Sequence, residues 1–290
     1  MEARLYQSPT DFEPVTGSVY RLDPVLFTSE LTTLRTAPWP AERILLSVFN
    51  RHGAIGAAVQ THDSVLLVNG LPPEAAPTAA GALAGVAATL EGVRGTPSTV
   101  TAFIDAWHEV TGVRATVSSR DVLYRLGTLR PPSGVAGQWG PAQAGDSEML
   151  ARWLDEFFTE AFDEPSNLDA SRAMLTSMAE SGDHLLVWSV AGRPVSMARV
   201  RHPVVGASRI GPVYTPPEHR GHGYGAAVTT AASQFAIRAG ADAVVLFADV
   251  DNPVSNRIYR RIGFEAVAEN VRCKLMKTGQ PLDYSDVAPD

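Results

Sequence analysis

One cysteine, Cys273, serves a chain of 290 residues, so no intrachain disulfide can form and a thiolate-built metal site is not expected. Lysine is almost missing: Lys274 and Lys277 are the only two, an arginine preference that reads as composition bias and not as function. Basic charge is not in surplus either. The formal net charge is −7, which argues against a dedicated nucleic-acid binder. No long apolar run is present. The most apolar stretch, AAGALAGVAATL from Ala79 to Leu90, is too short to span a bilayer. The start, MEARLYQSPTDFEP, has no apolar segment behind a basic one, as a secretory leader would. A cytoplasmic protein is expected, with neither a membrane nor a nucleic acid as partner.

What is present is an ordinary globular composition, 45% hydrophobic and 19% charged, in a length that favours about two domains. Proline and glycine cluster in RPPSGVAGQWGPAQAGD, Arg130 to Asp146, and this puts the boundary at 130/131. Residues 1–130 are read as a smaller α/β domain. Its strands are GAIGAAVQTH and SVLLVNGLP, and its helices are PEAAPTAAGALAGVAATLE and PSTVTAFIDAWHEVTG, the latter stopped at Gly112. Residues 131–290 are read in the order β, αα, βββ, α, β, α, ββ. Asp146 is placed to cap a helix that runs to about Phe162, and a second helix covers Asp169 to Ser181. The strands HLLVWSV, PVSMARV and ASRIGPVYT follow, then a helix from Tyr224 to Ala239. AVVLFAD, a short helix from Pro253 to Gly263 and two closing strands complete the order. The fold class expected is α/β, with a mixed sheet. LPPEAA at Leu71–Ala76 echoes TPPEHR at Thr215–Arg220. Either the domain is duplicated, or Pro-Pro-Glu is simply a common way to start a helix.

The chemistry concentrates in TPPEHRGHGYGAA, residues 215–227. As a plain turn it would not need three glycines at alternate positions at a helix start. Gly221-x-Gly223-x-x-Ala226, with Asp249 ending the next strand, formally satisfies a dinucleotide fingerprint. Five residues, Pro216 to Arg220, intervene before the first glycine, however, and only 41 residues (290 − 249) follow Asp249. A pyrophosphate cradle for coenzyme A fits better. Glycines free the backbone N–H groups at the positive end of a helix dipole, and Arg220 adds a charge-assisted contact. In the strand before the loop, Pro212 lacks a ladder donor, so the strand should bulge or part from a neighbour. The freed groups of Val213, Tyr214 and Thr215 would then pair with a peptide-like arm such as pantetheine.

VYTPPEHRGHGYGAA followed by DNPVSNRIYRRIGF resembles the GNAT superfamily of N-acetyltransferases, in the patterns R-x-x-G-x-G and N-P-x-S-N-x-x-Y-x-x-x-G-F. The likeness covers roughly residues 134 to 278. It is similar to bacterial two-domain acetyltransferases in which a GNAT domain follows a degenerate GNAT-like one. The resemblance implies acetyl-CoA as cosubstrate, bound by Val213, Tyr214, Thr215, Arg220, Gly221, Gly223, Gly225 and Ala226, with Asn252 and Asn256 on the pantetheine arm. It places Tyr259 near the sulfur as general acid. Read on its own, Tyr259 is equally a core aromatic with a satisfied hydroxyl. Arg257, Arg260 and Arg261 are read as solvated. Relatives often carry an acid on the strand before the loop, yet Ala207–Thr215 has none. Asp249 and Asp251 are the candidate bases, with Asp249 placed in the catalytic set beside Tyr259.

Three further features tempt less. Glu218, His219 and His222 lack a further ligand nearby, so no metal is expected. Cys273 reads as a small buried hydrophobe. Asp155, Glu156, Glu160, Asp163 and Glu164 read as a solvated acidic face or as the border of a cationic acceptor site. The expected function is acetyl transfer to a primary amine of a small molecule. The N-terminal domain would shape the acceptor cleft or form a homodimer interface. The alternative is an acyl-CoA-binding regulatory or scaffold protein without catalysis, which the missing strand acid would suit.

Overall fold

The computed structural model describes residues 1–35, 43–86, 90–162 and 165–276. In chain order the elements are β1 (Glu2–Tyr6), α1 (Pro9–Tyr20), α2 (Thr28–Leu34), β2 (Leu45–Asn50), β3 (Gly53–Gln60), β4 (Val65–Leu67), α3 (Ala76–Gly85), β5 (Gly92–Gly95), α4 (Pro97–Thr111) and β6 (Ala115–Leu126). Next come β7 (Gln138–Pro141), α5 (Ser147–Phe162), α6 (Leu168–Glu180), β8 (His184–Val190), β9 (Arg193–Val200) and β10 (Ala207–Tyr214). The chain finishes with α7 (Tyr224–Arg238), β11 (Ala243–Asp249), α8 (Pro253–Ile262) and β12 (Phe264–Leu275). Two compact units result. Of the described residues, the first holds 1–20, 43–120 and 270–276; the second holds 21–35 and 121–269. The Pro- and Gly-rich stretch Arg130–Asp146 therefore lies inside the second unit.

The first unit builds its sheet in the order β1-β2-β3-β4-β5, followed by the end of β12, whose Val271–Lys274 run antiparallel to Gly92–Gly95. Helices α3 and α4 lay Ala79, Leu83, Val100, Phe103 and Trp107 on this sheet, against Leu46, Val48, Leu66 and Val93. Cys273 is buried in the same core, where burial pushes its thiol up. The left-handed Gly112 ends α4 as expected, giving its N–H to the His108 carbonyl.

In the second unit the order is β6-β11-β10-β9-β8-β7. All pairs are antiparallel except β10 with β11. One face carries α7 and α8, with Val228, Ala232, Ala236 and Ile262 packed on Leu186, Ala198, Ile210 and Leu246. The opposite face carries α5 and α6, whose Leu150, Trp153, Leu154 and Met178 pack on Val187, Met197 and Tyr214. The 3.6-residue spacing of apolar side chains along α5 required such a surface.

Several expectations need correction. Among the described residues one strand, β12, follows α8 where two were expected. Asp146 does not cap α5: it lies in a 3-10 turn, Ala144–Asp146, and its carboxylate accepts the N–H of Gln143 at 2.8 Å. Elements β1, α1, α2, β2, β5 and β6 were not anticipated. Helix α1 contains Pro14 and Gly17, which read as breakers, and β5 is four residues long with a glycine at each end.

Candidate active site

The site grows from the place where β10 and β11 part. Their parallel ladder joins Ala207–Arg209 to Ala243–Val245, and no pair continues it. On its other side β10 stays joined to β9, through Val213 with Ala198 and Tyr214 with Met197, after a register shift between Ile210 and Val213. Pro212 supplies no donor at that shift, as the sequence required. The edge of β10 that faces β11 is therefore unpaired from Ile210 to Tyr214.

Directly after this edge, Thr215 leads into a 3-10 turn, Pro217–His219, and then the glycines. Gly221 and Gly223 have φ of +83° and +81°, a region that costs an L side chain roughly 1–2 kcal/mol. Gly223 caps α7, leaving the N–H groups of Tyr224, Gly225 and Ala226 without intrahelical acceptors. A Cβ on Gly225 would touch Thr215 Oγ1 at 3.4 Å, and one on Gly221 would project into open space. The helix end thus presents bare backbone donors and a positive dipole end, a fitting cradle for a pyrophosphate. Ser196 Oγ holds the loop root, lying 2.9 Å from the Tyr214 carbonyl and 2.8 Å from Thr215 Oγ1.

Arg220 does not point freely toward this cradle. Its Nε donates to the Thr215 carbonyl at 2.8 Å, and a terminal nitrogen lies 2.5 Å from Glu160 Oε2 on α5. The other oxygen, Glu160 Oε1, accepts from the Tyr214 hydroxyl at 2.8 Å. Burial first, then the hydrogen bond to Glu160, pushes the Tyr214 phenol well above its ordinary range. The sequence placed Glu160 in an acidic stretch, read as a solvated face or as the border of a cationic acceptor site, without naming its partners. Asp163 and Glu164 of that stretch lie outside the described residues.

Helix α8 lies beyond the end of β11. Asn252 is its N-cap and accepts from the Ser255 N–H at 2.9 Å. Asn256 points inward and is buried. Its amide donates to the carbonyls of Asp249 at 2.7 Å and Asn252 at 2.8 Å, and its Oδ1 accepts from the buried Tyr124 hydroxyl at 2.8 Å. That asparagine ties β6, the end of β11 and α8 together. Tyr259 is half-buried, its ring 6.4 Å from that of Tyr124 and 6.1 Å from that of Phe264. Burial pushes its phenol up to about 12. Asp249 is exposed, and its Oδ1 accepts the N–H of Asp251 at 2.8 Å. The residues named from the sequence therefore form two groups. Val213 to Ala226 flank the open edge, while Asp249, Asn252, Asn256 and Tyr259 belong to α8 and the turn before it. Glu218 and His219 lie on the 3-10 turn, and His222 stacks on Tyr224 with centroids 5.4 Å apart. Among the described residues no group of three or more His, Cys, Asp or Glu could hold a metal ion, and no helix is long and apolar enough to cross a membrane.

Known proteins resemble this chain in the same region. Residues 147–264 match the Acetyltransferase (GNAT) family. A mycothiol acetyltransferase of Corynebacterium aurimucosum is 29% identical over 136 residues, an alignment that covers 47% of this chain and 41% of that protein. The chain thus matches about two fifths of that relative's length. Among solved structures, a GNAT-family acetyltransferase from Colwellia psychrerythraea superposes with TM-score 0.60 at 11% identity, covering 96% of this chain and all of that one, 100%. A tandem GNAT protein from the clavulanic acid biosynthesis pathway gives 0.59 at 15%, covering 97% of this chain and 99% of that one. At such identities the structural likeness is one of fold.

Proposed function

We propose that the chain acts as a GNAT N-acetyltransferase, the family that its residues 147–264 match, and that it moves the acetyl group of acetyl-CoA directly onto a primary amine of a small molecule. The observation that carries this reading is the unpaired edge of β10 ending in the glycine-flanked start of α7. Pyrophosphate would sit on the N–H groups at the start of α7, where several convergent donors reinforce a dipole contact worth about 0.3–1 kcal/mol alone. A pantetheine arm would pair with the edge of β10 as an added strand does.

In this reading a backbone N–H near Val213 or Tyr214 polarises the thioester carbonyl, a contribution of about 2.7–4 kcal/mol for one oxyanion donor. Tyr259, with its phenol pushed up to about 12 by burial, stays protonated through the neutral range and gives its proton to the departing thiolate. Asn256 acts through position: it fixes α8, and so Tyr259, against β6. Asn252 and Asp249 shape the turn that starts α8. A cytoplasmic setting and a homodimer remain part of the proposal.

Calorimetric titration with acetyl-CoA and separately with NAD, repeated on Arg220→Ala, tests the cradle. Binding of acetyl-CoA and not of NAD is expected. Thiol release on adding primary amines then separates the enzyme from the alternative, an acyl-CoA-binding protein without catalysis. Absence of acetyl-CoA binding would sink the reading.

A further inference from the structure

Acetyl transfer from a thioester needs a neutral amine, and most amines arrive as ammonium ions. Strand β10 offers no carboxylate, since Ala207–Thr215 contains neither Asp nor Glu. We propose that Glu160, from the last turn of α5, takes the proton of the incoming ammonium; this rests on the acetyl-transfer reading above.

Three elements converge on its carboxylate. Tyr214 of β10 donates to Oε1, and Arg220 of the glycine loop donates to Oε2. Arg220 is itself braced by the Thr215 carbonyl, with its guanidinium carbon 5.7 Å from the centre of the Tyr214 ring. A carboxylate offers about four lone-pair sites, so these two donors orient it and leave acceptor capacity for a third. The Glu160 side chain is 43% exposed, so a ligand can reach it. It also stands one tyrosine side chain away from the unpaired edge of β10.

The other candidates at the site are engaged elsewhere. The Tyr214 phenol is pushed up by burial and by Glu160 itself, so it stays a donor. Asp249 already accepts the Asp251 N–H, and its own carbonyl holds Asn252 and Asn256. Tyr214 and Arg220 are positioning residues in this scheme: they aim Glu160.

The ammonium gives one proton to Glu160 and becomes a neutral amine. Its nitrogen lone pair forms the C–N bond to the acetyl carbonyl carbon, and the C–S bond breaks as the adduct collapses. The thiolate takes a proton from Tyr259, the second nitrogen proton passes to water, and Tyr259 recovers one from water. Glu160 returns its proton to solvent, so one proton is released per acetyl group moved.

The test uses the full chain with acetyl-CoA and n-butylamine, 1,4-diaminobutane and phenethylamine as acceptors, following thiol release. Acetyl-CoA affinity is measured beside it. For the acceptor turned over fastest, Glu160→Gln is expected to lower kcat by at least about 10²-fold, the lower end for a proton-transfer group. Its acetyl-CoA affinity should stay within about twofold of wild type, and Glu160→Asp should recover part of kcat. Wild-type turnover surviving in Glu160→Gln, with binding intact, would overturn the role of Glu160 alone. No acetyl-CoA binding, or binding without turnover of any of the three amines by the wild-type chain, would overturn the transfer reading and Glu160 with it.

Discussion

Replacing Asn256 by alanine asks whether this side chain holds the site together or touches its ligand. The structure supplies the magnitude. Alanine removes two amide donors, to the Asp249 carbonyl at 2.7 Å and the Asn252 carbonyl at 2.8 Å. Neither carbonyl is orphaned, because Asp249 O still accepts the Asn252 N–H and Asn252 O the Asn256 N–H, each at 3.1 Å. Those two losses come to about 0.5–1.5 kcal/mol each. The hydroxyl of Tyr124 fares worse. It is fully buried and gives its proton to Asn256 Oδ1, so the variant leaves it without an acceptor, at about 1–3 kcal/mol. The expected destabilisation is about 4 kcal/mol, to be read from denaturant unfolding. Adding Tyr124→Phe removes the orphaned hydroxyl. The double variant should therefore be more stable than the sum of the single variants predicts, by about 1–2 kcal/mol, within the range of couplings between touching residues. A loss below about 0.5 kcal/mol in Asn256→Ala, combined with a tenfold loss of acetyl-CoA affinity, would refute this reasoning and make Asn256 a ligand contact.

Gly223→Ala forces an L residue to a φ of +81° and sets its Cβ 3.1 Å from Val135 Cγ2. It should cost roughly 1–2 kcal/mol of stability and weaken acetyl-CoA in calorimetry; unchanged affinity would remove Gly223 from the cradle. Tyr259 carries a phenol raised by burial to about 12, whereas the unfolded value is near 10. Between those values the native chain keeps a proton that the unfolded chain has released. This group's contribution is thus complete below about pH 10 and is lost as pH rises through about 12. A phenolate absorbance titration of wild type against Tyr259→Phe should show the missing tyrosine titrating late, and a difference centred near 10 would contradict its burial. Asp183 and Arg199 form a buried ion pair, with side chains 6% and 9% exposed, and Asp183 also accepts the His202 N–H at 2.8 Å. Asp183→Ala strands the arginine and should cost about 3–5 kcal/mol in unfolding; a loss under about 1 kcal/mol would show the pair to be dispensable.

The second unit was readable wherever its chemistry is local. Strands β8 and β11 coincide with HLLVWSV and AVVLFAD, and α8 runs from Pro253 to the left-handed Gly263, because proline and glycine mark those ends by backbone geometry alone. The break at Pro212 followed from a proline without a donor and shows as the register shift against β9, while the ladder to β11 already stops at Arg209. Partners distant in sequence were not readable. Glu160 meets Tyr214 and Arg220 across 54 and 60 residues, and Asn256 meets Tyr124 across 132. Helical spacing, i, i+4 and i+7, sets Asn252, Asn256 and Tyr259 on one side of α8. It could not show that Asn252 caps the helix while Asn256 is buried, since that depends on the facing strand. Nor does a local pattern encode that Val122–Arg125 of β6 pair with β11, or that Val271–Lys274 of β12 pair with β5.

Element order by itself does not make the site. The chain runs twice through β, α, α, β, β, β, a 3-10 turn, α, β, α, β, with a further short 3-10 turn before α5. In both passages the 3-10 turn follows a proline with ψ near 150°, Pro72 at 149° and Pro216 at 148°. The echo of LPPEAA in TPPEHR is thus an echo of shape. The parallel strands then behave differently. In the first unit β4 and β5 pair over Val65–Leu67, and the contact continues. The Val68 N–H reaches the Arg94 carbonyl at 2.9 Å, and Asn69 Oδ1 takes the Thr96 N–H at 2.7 Å. Helix α3 starts at Ala76 after Pro73, with no left-handed glycine between β4 and its first turn. In the second unit Pro212 interrupts β10, the ladder to β11 stops at Arg209, and Gly221 and Gly223 open the helix end. Backbone groups already spent on a neighbouring strand cannot receive a peptide-like arm, and a helix start without glycine brings Cβ atoms toward an approaching phosphate. Two passages through one topology therefore differ in capacity because of a few residues, Val68 with its bonded N–H against Pro212, and alanine against glycine.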